Sequence, residues 1–206
     1  MYPGVGDASL LFLKASTIAL SGFLVRRIGS DLRESRIGWQ LALLMVPVAF
    51  LTYLFHELGH WTVGELLGND MVLGLNNADA RSGAFVGGND ALYISIGGPL
   101  FTLLQALVAW ILVETTRSMV AYSFLYFAAF CRFFSILLGG YSLQDEARIS
   151  ALLHVNRFMA AIVVLTALSV LVWRGSRALK LGPKAVGYFA VLSTLAILLV
   201  IAVARA

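Results

Sequence analysis

The sequence predicts an all-α polytopic membrane protein of about six transmembrane helices, with a Gly/Asn-rich loop of β-like character after the second. Composition is the first of three observations behind this reading. The chain has 206 residues, of which 60% are hydrophobic and 13% charged, and its mean hydropathy is +0.87. Soluble domains carry roughly 45–50% apolar and about 25% charged residues. The second observation is a series of apolar runs about as long as the ~20 residues a spanning helix needs. The third is that the segments between these runs hold most of the charges and turn-forming residues.

The candidate spans are residues 8–25, 38–64, 91–113, 119–141, 150–173 and 185–204. Lys14 interrupts the first, which suits a tilted or interfacial helix. The connections are short, so the whole chain, 1–206, is expected to be a single membrane domain without a separate soluble part. The longest connection, GNDMVLGLNNADARSGAFVGGND (68–90), is rich in Gly, Asn and Asp. Loops of more than about 15 residues are usually functional. The N-terminal MYPGVGDASLLFLK has no basic stretch before its apolar run and does not read as a cleavable signal peptide.

Charge is informative in its distribution. The net value of +4 is spread over the connections, which suits loops facing an anionic leaflet better than a nucleic-acid footprint, where a clustered basic stripe is expected. RRIGSDLRESR (26–36) and RGSRALKLGPK (174–184) each hold four basic residues, whereas 68–90 holds three aspartates and one arginine. The positive-inside rule therefore places both basic loops in the cytoplasm and both termini outside. The expected location is a multi-pass position in a membrane of the bacterial cytoplasmic kind. A single cysteine, Cys131, leaves no internal disulfide and no Cys-rich zinc framework.

Polar residues inside a span are costly and so point to function. The second run contains HELGH (56–60), which fits H-E-x-x-H. On a helix, His56 and His60 lie one turn apart on one face and can present two imidazoles to one ion. Glu57 is turned away by one helical step, beside the ion rather than on it. Zinc lowers the pKa of a coordinated water to about 7, and a carboxylate so placed can take its proton during attack on a carbonyl. Glu57 would then return that proton to the leaving amine. The competing reading is a pair of hydrogen-bonded histidines with a purely structural part in a helical bundle.

A hydrolytic zinc site uses three protein ligands and one open position. The best third-ligand candidates lie in LLGGYSLQDEARIS (137–150), Asp145 first and Glu146 second, with His154 beyond that segment third. Acidic residues there would also suit the first turn of a helix. Counting 1.5 Å per residue, His56 and an Asp145 riding at the end of the fourth span both approach the same membrane face. Asn156 and Arg157, near His154, are secondary candidates for orienting a ligand or stabilising an oxyanion. Arg132 lies mid-span in FLYFAAFCRFF (124–134). It is expected to meet a lipid phosphate or a carboxylate, and its distance along the helix argues against Asp145 as the partner. Cys131 reads as packing.

Together these residues resemble the site-2 protease family of intramembrane zinc metalloproteases. The family carries HExxH in one core span, a Gly-Pro-x-x-Asn signature in the next, and an Asp ligand, usually before Gly, in the third. Here the middle span reads ISIGGPLFTLLQA (94–106), so Gly98 and Pro99 match while Thr102 replaces Asn. Asp145 precedes Glu146 instead of Gly. The resemblance covers about 38–150 as a protease-like core and leaves 8–25, 150–173 and 185–204 as peripheral helices. It implies a Zn2+ cofactor held by His56, His60 and Asp145, with Glu57 as base. It also implies hydrolysis of peptide bonds in a membrane-protein substrate helix within the lipid bilayer. Family members usually keep the site near the cytosolic face, which conflicts with the charge-based orientation.

The alternative implied by the departures at Thr102 and Glu146 is a non-catalytic, protease-like membrane subunit of a larger complex. A transporter is a third reading, but the broken-helix pair repeated in two halves that would support it is not found. In the protease reading, MVLGLNN would add a strand to an extended substrate, the β-augmentation mode of peptide recognition.

Overall fold

The computed structural model describes residues 39–138 and 144–204. Five helices among them are long and apolar enough to cross a membrane, and the chain is an all-α polytopic membrane protein. The expected span at 8–25 lies outside the described residues.

The first described helix, α1 (Trp39–Leu66), holds its buried residues at Leu41, Met45, Val48, Thr52, His56, His60 and Gly64, steps of three and four that trace one face. The HELGH residues therefore sit on the stripe that faces protein rather than lipid. A hairpin follows, with β1 (Met71–Leu73) antiparallel to β2 (Ala78–Ala80) and Val72 opposite Asp79. Its return to the bundle is pinned by a polar knot. Asn69 Nδ2 donates to Asp90 Oδ2 at 2.9 Å, Gly87 N–H to the same oxygen at 2.8 Å, and Val86 N–H to Asn69 Oδ1 at 2.8 Å.

Asp90 opens α2 (Asp90–Thr116), which ends at Arg117 in the left-handed region with φ 54°. Its buried face runs through Ile94, Gly98, Thr102, Ala106, Ala109 and Val113. Helix α2 packs on α1 through two glycines: a Cβ on Gly59 would strike the Gly97 carbonyl, and one on Gly97 the Gly59 carbonyl. Small residues at a crossing let two spanning helices approach backbone to backbone.

Helix α3 (Met119–Leu138) carries the aromatic interior. Tyr122 packs edge-on against Phe189 with ring centroids 4.9 Å apart, and its hydroxyl meets Ser176 Oγ at 2.7 Å. Those partners belong to α5 (Met159–Ala178) and α6 (Pro183–Ala204), the last helices of the described bundle. Between α3 and α5 lies a separate eight-residue helix, α4 (Asp145–Leu152).

Helix α4 corrects two expected boundaries. The fifth span starts at Met159, not 150, because DEARIS and HVNR are too polar to enter a bilayer; the chain turns there through His154 at φ 54°. Asp145 accordingly begins its own short helix and does not ride on the end of the fourth span. Arg117 Nη1 donates to the Ala178 carbonyl at 3.0 Å, so the α2–α3 turn and the end of α5 share one end of the bundle. The hairpin and α4 occupy the opposite end.

Candidate metal centre

His56 and His60 each have one ring nitrogen committed to a neighbour, and this decides what the other can do. His60 Nδ1 lies 2.6 Å from the Ile94 carbonyl, which can only accept, so Nδ1 carries the proton. Ile94 stands beside Ser95, whose carbonyl loses its helical partner because Pro99 has no N–H. His56 Nδ1 lies 2.9 Å from Thr102 Oγ1. That hydroxyl spends its own proton on the Gly98 carbonyl at 3.1 Å, so it accepts from His56. Both imidazoles thus present a bare Nε2 when neutral.

The two bare nitrogens face each other at 3.2 Å, and Asp145 Oδ2 lies 3.0 Å from one and 3.4 Å from the other. Three lone-pair carriers in a tight triangle repel unless something positive lies among them. In a tetrahedral zinc site with bonds of about 2.0 Å, neighbouring ligand atoms stand about 3.3 Å apart. The observed triangle has that size. His56, His60 and Asp145 are the cluster among the described residues with metal-ligand spacing.

Charge points the same way. Glu57, Asp79 and Asp145 line the cavity at this triangle together with Arg132 and Arg148, so its ionisable lining carries a formal excess of negative charge that a cation would offset. His56, Glu57, His60 and Arg132 are all buried. Burial alone would push the Asp145 carboxyl up; hydrogen bonds and charge from His56 and His60, present only where an imidazole also carries a proton on Nε2, outweigh it and hold the group well below the usual carboxylate range.

Space for the cluster comes from Gly98. A Cβ there would fall onto His60 Nε2 and within 2.6 Å of His56 Cε1, so only glycine lets the rings converge. The triangle opens into a mainly polar cavity of about 330 Å³, lined also by Glu57, Asn77, Asp79, Arg132 and Gln144. A larger groove of about 770 Å³ between α3, α5 and α6 is lined by Tyr126, Phe130 and Trp173 and has neither a histidine nor a carboxylate.

The structure brings His56, Glu57, His60 and Asp145 to one place. The other third-ligand candidates lie elsewhere. Glu146 projects from α4 in another direction, is fully buried, and pairs with Arg132 at 3.5 Å. His154 and Asn156 are exposed in the turn after α4, where Asn156 Oδ1 caps the Phe158 N–H at 3.1 Å. Arg157 is exposed and lies over the Phe158 ring at 4.4 Å.

Arg132 overturns an expectation. Its Nη1 lies 3.3 Å from Asp145 Oδ2. The distance along a continuous helix argued against this pair, but the chain leaves α3 at Leu138 and α4 returns Asp145 toward Arg132. Sequence reasoning also gave no role to the Thr102 hydroxyl or the Ile94 carbonyl. The helical spacing of Gly98 and Thr102, one turn apart, was the available signal, since it puts both on the face of α2 that meets the histidines.

The hairpin lies against the same cavity. Gly74 N–H donates to the Asn77 carbonyl and Arg81 N–H to that of Asp70, both at 2.8 Å. Bonded pairs alternate in an antiparallel ladder, so Val72 and Asp79 bond to each other while the amides of Ala78 and Ala80 point away from β1. Ala78 and Asp79 line the cavity. The strand edge beside the metal-ligand triangle is therefore β2; the MVLGLNN segment supplies the strand behind it.

Comparison with protein-family models, curated proteins and solved structures finds no match to this chain. Fold and site define a class: a multi-pass helical membrane protein with two buried histidines and a part-buried aspartate in a tight triangle at one end of its bundle.

Proposed function

We propose that the chain is a zinc metalloendopeptidase that hydrolyses peptide bonds of membrane-embedded substrates, an enzyme of the site-2 protease kind. The observation that carries this reading is the triangle of His56 Nε2, His60 Nε2 and Asp145 Oδ2, with both Nδ1 atoms committed elsewhere and Glu57 on the wall of the same cavity. Two imidazoles and one carboxylate form a catalytic zinc ligand set that leaves one position open. Zinc held there would supply a Lewis acid and a water of lowered pKa.

The remaining work falls to the chain. Glu57 accepts a proton at its carboxylate as the peptide carbonyl is attacked and returns it to the departing nitrogen, so the bond breaks without net proton change. A spanning substrate helix satisfies its own backbone and hides its carbonyls. The outward amides of Ala78 and Ala80 offer replacement hydrogen bonds to a segment drawn out beside β2. Bundle helices packed around the site limit water to the polar cavity. The setting we propose is a bacterial cytoplasmic membrane, whose anionic leaflet would suit the basic 174–184 connection.

The test pairs metal analysis with Glu57→Gln. Purified protein should carry about one zinc per chain, lost in His56→Ala and retained in Glu57→Gln. Cleavage of a spanning substrate should fall by about 10²–10⁴-fold in Glu57→Gln, the range general-base catalysis contributes. Zinc retention with no cleavage by the wild type of any spanning segment offered would favour the subunit of a larger membrane complex.

A further inference from the structure

Arg132 has no part in the proposed reaction, yet among the described residues it is the one cation buried at the metal-ligand triangle. Its side chain is 8% exposed, and one nitrogen, Nη1, faces two carboxylates: Asp145 Oδ2 at 3.3 Å and Glu146 Oε1 at 3.5 Å. Glu146 is fully buried, and neither of its oxygens has a hydrogen-bond partner among the described residues. Burying a carboxylate is costly unless a charge compensates it. In this protein the compensating group is shared with the proposed third metal ligand.

The helix that carries Asp145 has little means of orienting it alone. Helix α4 has only eight residues. Helices this short are marginal without tertiary contacts. Asp145 is the first residue of α4, and Glu146 follows about 100° further around the axis at 3.6 residues per turn. A single cation touching both fixes the rotation of α4 as well as its approach to α3. The oxygen Arg132 touches is also the one facing His56 and His60.

We propose that Arg132, anchored by Glu146, is a positioning residue that holds Asp145 Oδ2 at the His56–His60 pair. The proposal rests on the metal-site reading. Partners behind metal ligands typically set affinity by about 10–100-fold. A merely structural role, in which Arg132 only neutralises Glu146, makes a different prediction, because removing both charges together should then restore everything.

The experiment uses the full chain in detergent with Zn2+ and Co2+ as probes. It reads unfolding in the presence of chelator, Zn2+ affinity by chelator competition, and the Co2+ absorption bands. Arg132→Gln should lower both the unfolding temperature and the affinity. The double variant Arg132→Gln/Glu146→Gln should recover the unfolding temperature of the metal-free protein but still bind Zn2+ about 10–100-fold more weakly, with altered Co2+ bands. A double variant that binds within about twofold of wild type, or more tightly, overturns the proposal. Should the double variant fail to fold, Glu146→Gln decides. It removes the anchor alone and should weaken Zn2+ binding by about tenfold with shifted Co2+ bands, whereas unchanged bands and affinity overturn the proposal. A wild type that binds neither ion stoichiometrically removes the metal-site reading itself, and the proposal with it.

Discussion

Gly98 lies against His60: a Cβ added to the glycine would clash with the His60 Nε2 atom. The helix that carries the Gly-Pro pair thus shapes the metal-ligand triangle by omission. Glycine inside a helix costs about 0.5–1 kcal/mol relative to alanine, so Gly98→Ala should favour the isolated helix. It should nevertheless abolish stoichiometric zinc binding, by displacing one or both rings, while circular dichroism stays helical. Gly187, in α6, has open space around its Cβ position. Gly187→Ala should leave zinc unchanged and raise stability slightly. Full zinc occupancy in Gly98→Ala would contradict the geometry.

Thr102 holds the tautomer of His56. Valine keeps the shape and removes the oxygen, so in Thr102→Val the His56 Nδ1 proton has no acceptor and the ring loses its orientation. Zinc affinity should drop by about 10–100-fold. Thr102→Ser keeps the hydroxyl and should bind within severalfold of wild type. Chelator competition on the two variants, with chelator-free unfolding as a folding control, separates loss of the oxygen from loss of packing.

The free edge of β2 makes a prediction independent of the metal. Ala78 directs its N–H away from β1, so Ala78→Pro removes a donor without breaking a hairpin bond. Cleavage of a spanning substrate should slow markedly while zinc content stays at wild type. Val72→Pro instead breaks the hairpin's own ladder and should lower its protection from proteolysis. Equal cleavage by Ala78→Pro and wild type would refute strand addition at this edge.

The crossing of α1 and α2 sets the distance between the histidines and their Nδ1 partners. Gly59→Ala and Gly97→Ala each place a methyl group against the opposite backbone, and overpacking of this kind costs about 1–3 kcal/mol. Both should lower the unfolding temperature and weaken zinc binding together. A variant that loses stability yet keeps wild-type affinity would show that the site tolerates a wider crossing.

The long apolar runs were legible because a bilayer imposes a composition and a length that few other settings require. The described helices match five of the expected spans, and the missed start of the fifth shows the limit of run-counting. Residues 150–158 are mixed enough to be absorbed into an apolar window, and only the buried contacts of Glu146, Ile149 and Ser150 make α4 a separate piece. HELGH was legible because a helix repeats its face every three or four residues, a local property. The same locality misled at Arg132, where distance along the chain stood in for distance in space.

What the sequence determined by itself was a membrane bundle with two histidines and a glutamate on one helical face, since hydropathy and helical periodicity are written in consecutive residues. The tertiary structure decided which acid meets the histidines, which atoms hold their Nδ1 protons, why residue 98 is glycine, and where Arg132 places its charge. Those depend on four helices converging at one end of the bundle, and contacts between helices are set by packing and chain reversal, which leave no fixed spacing in the sequence.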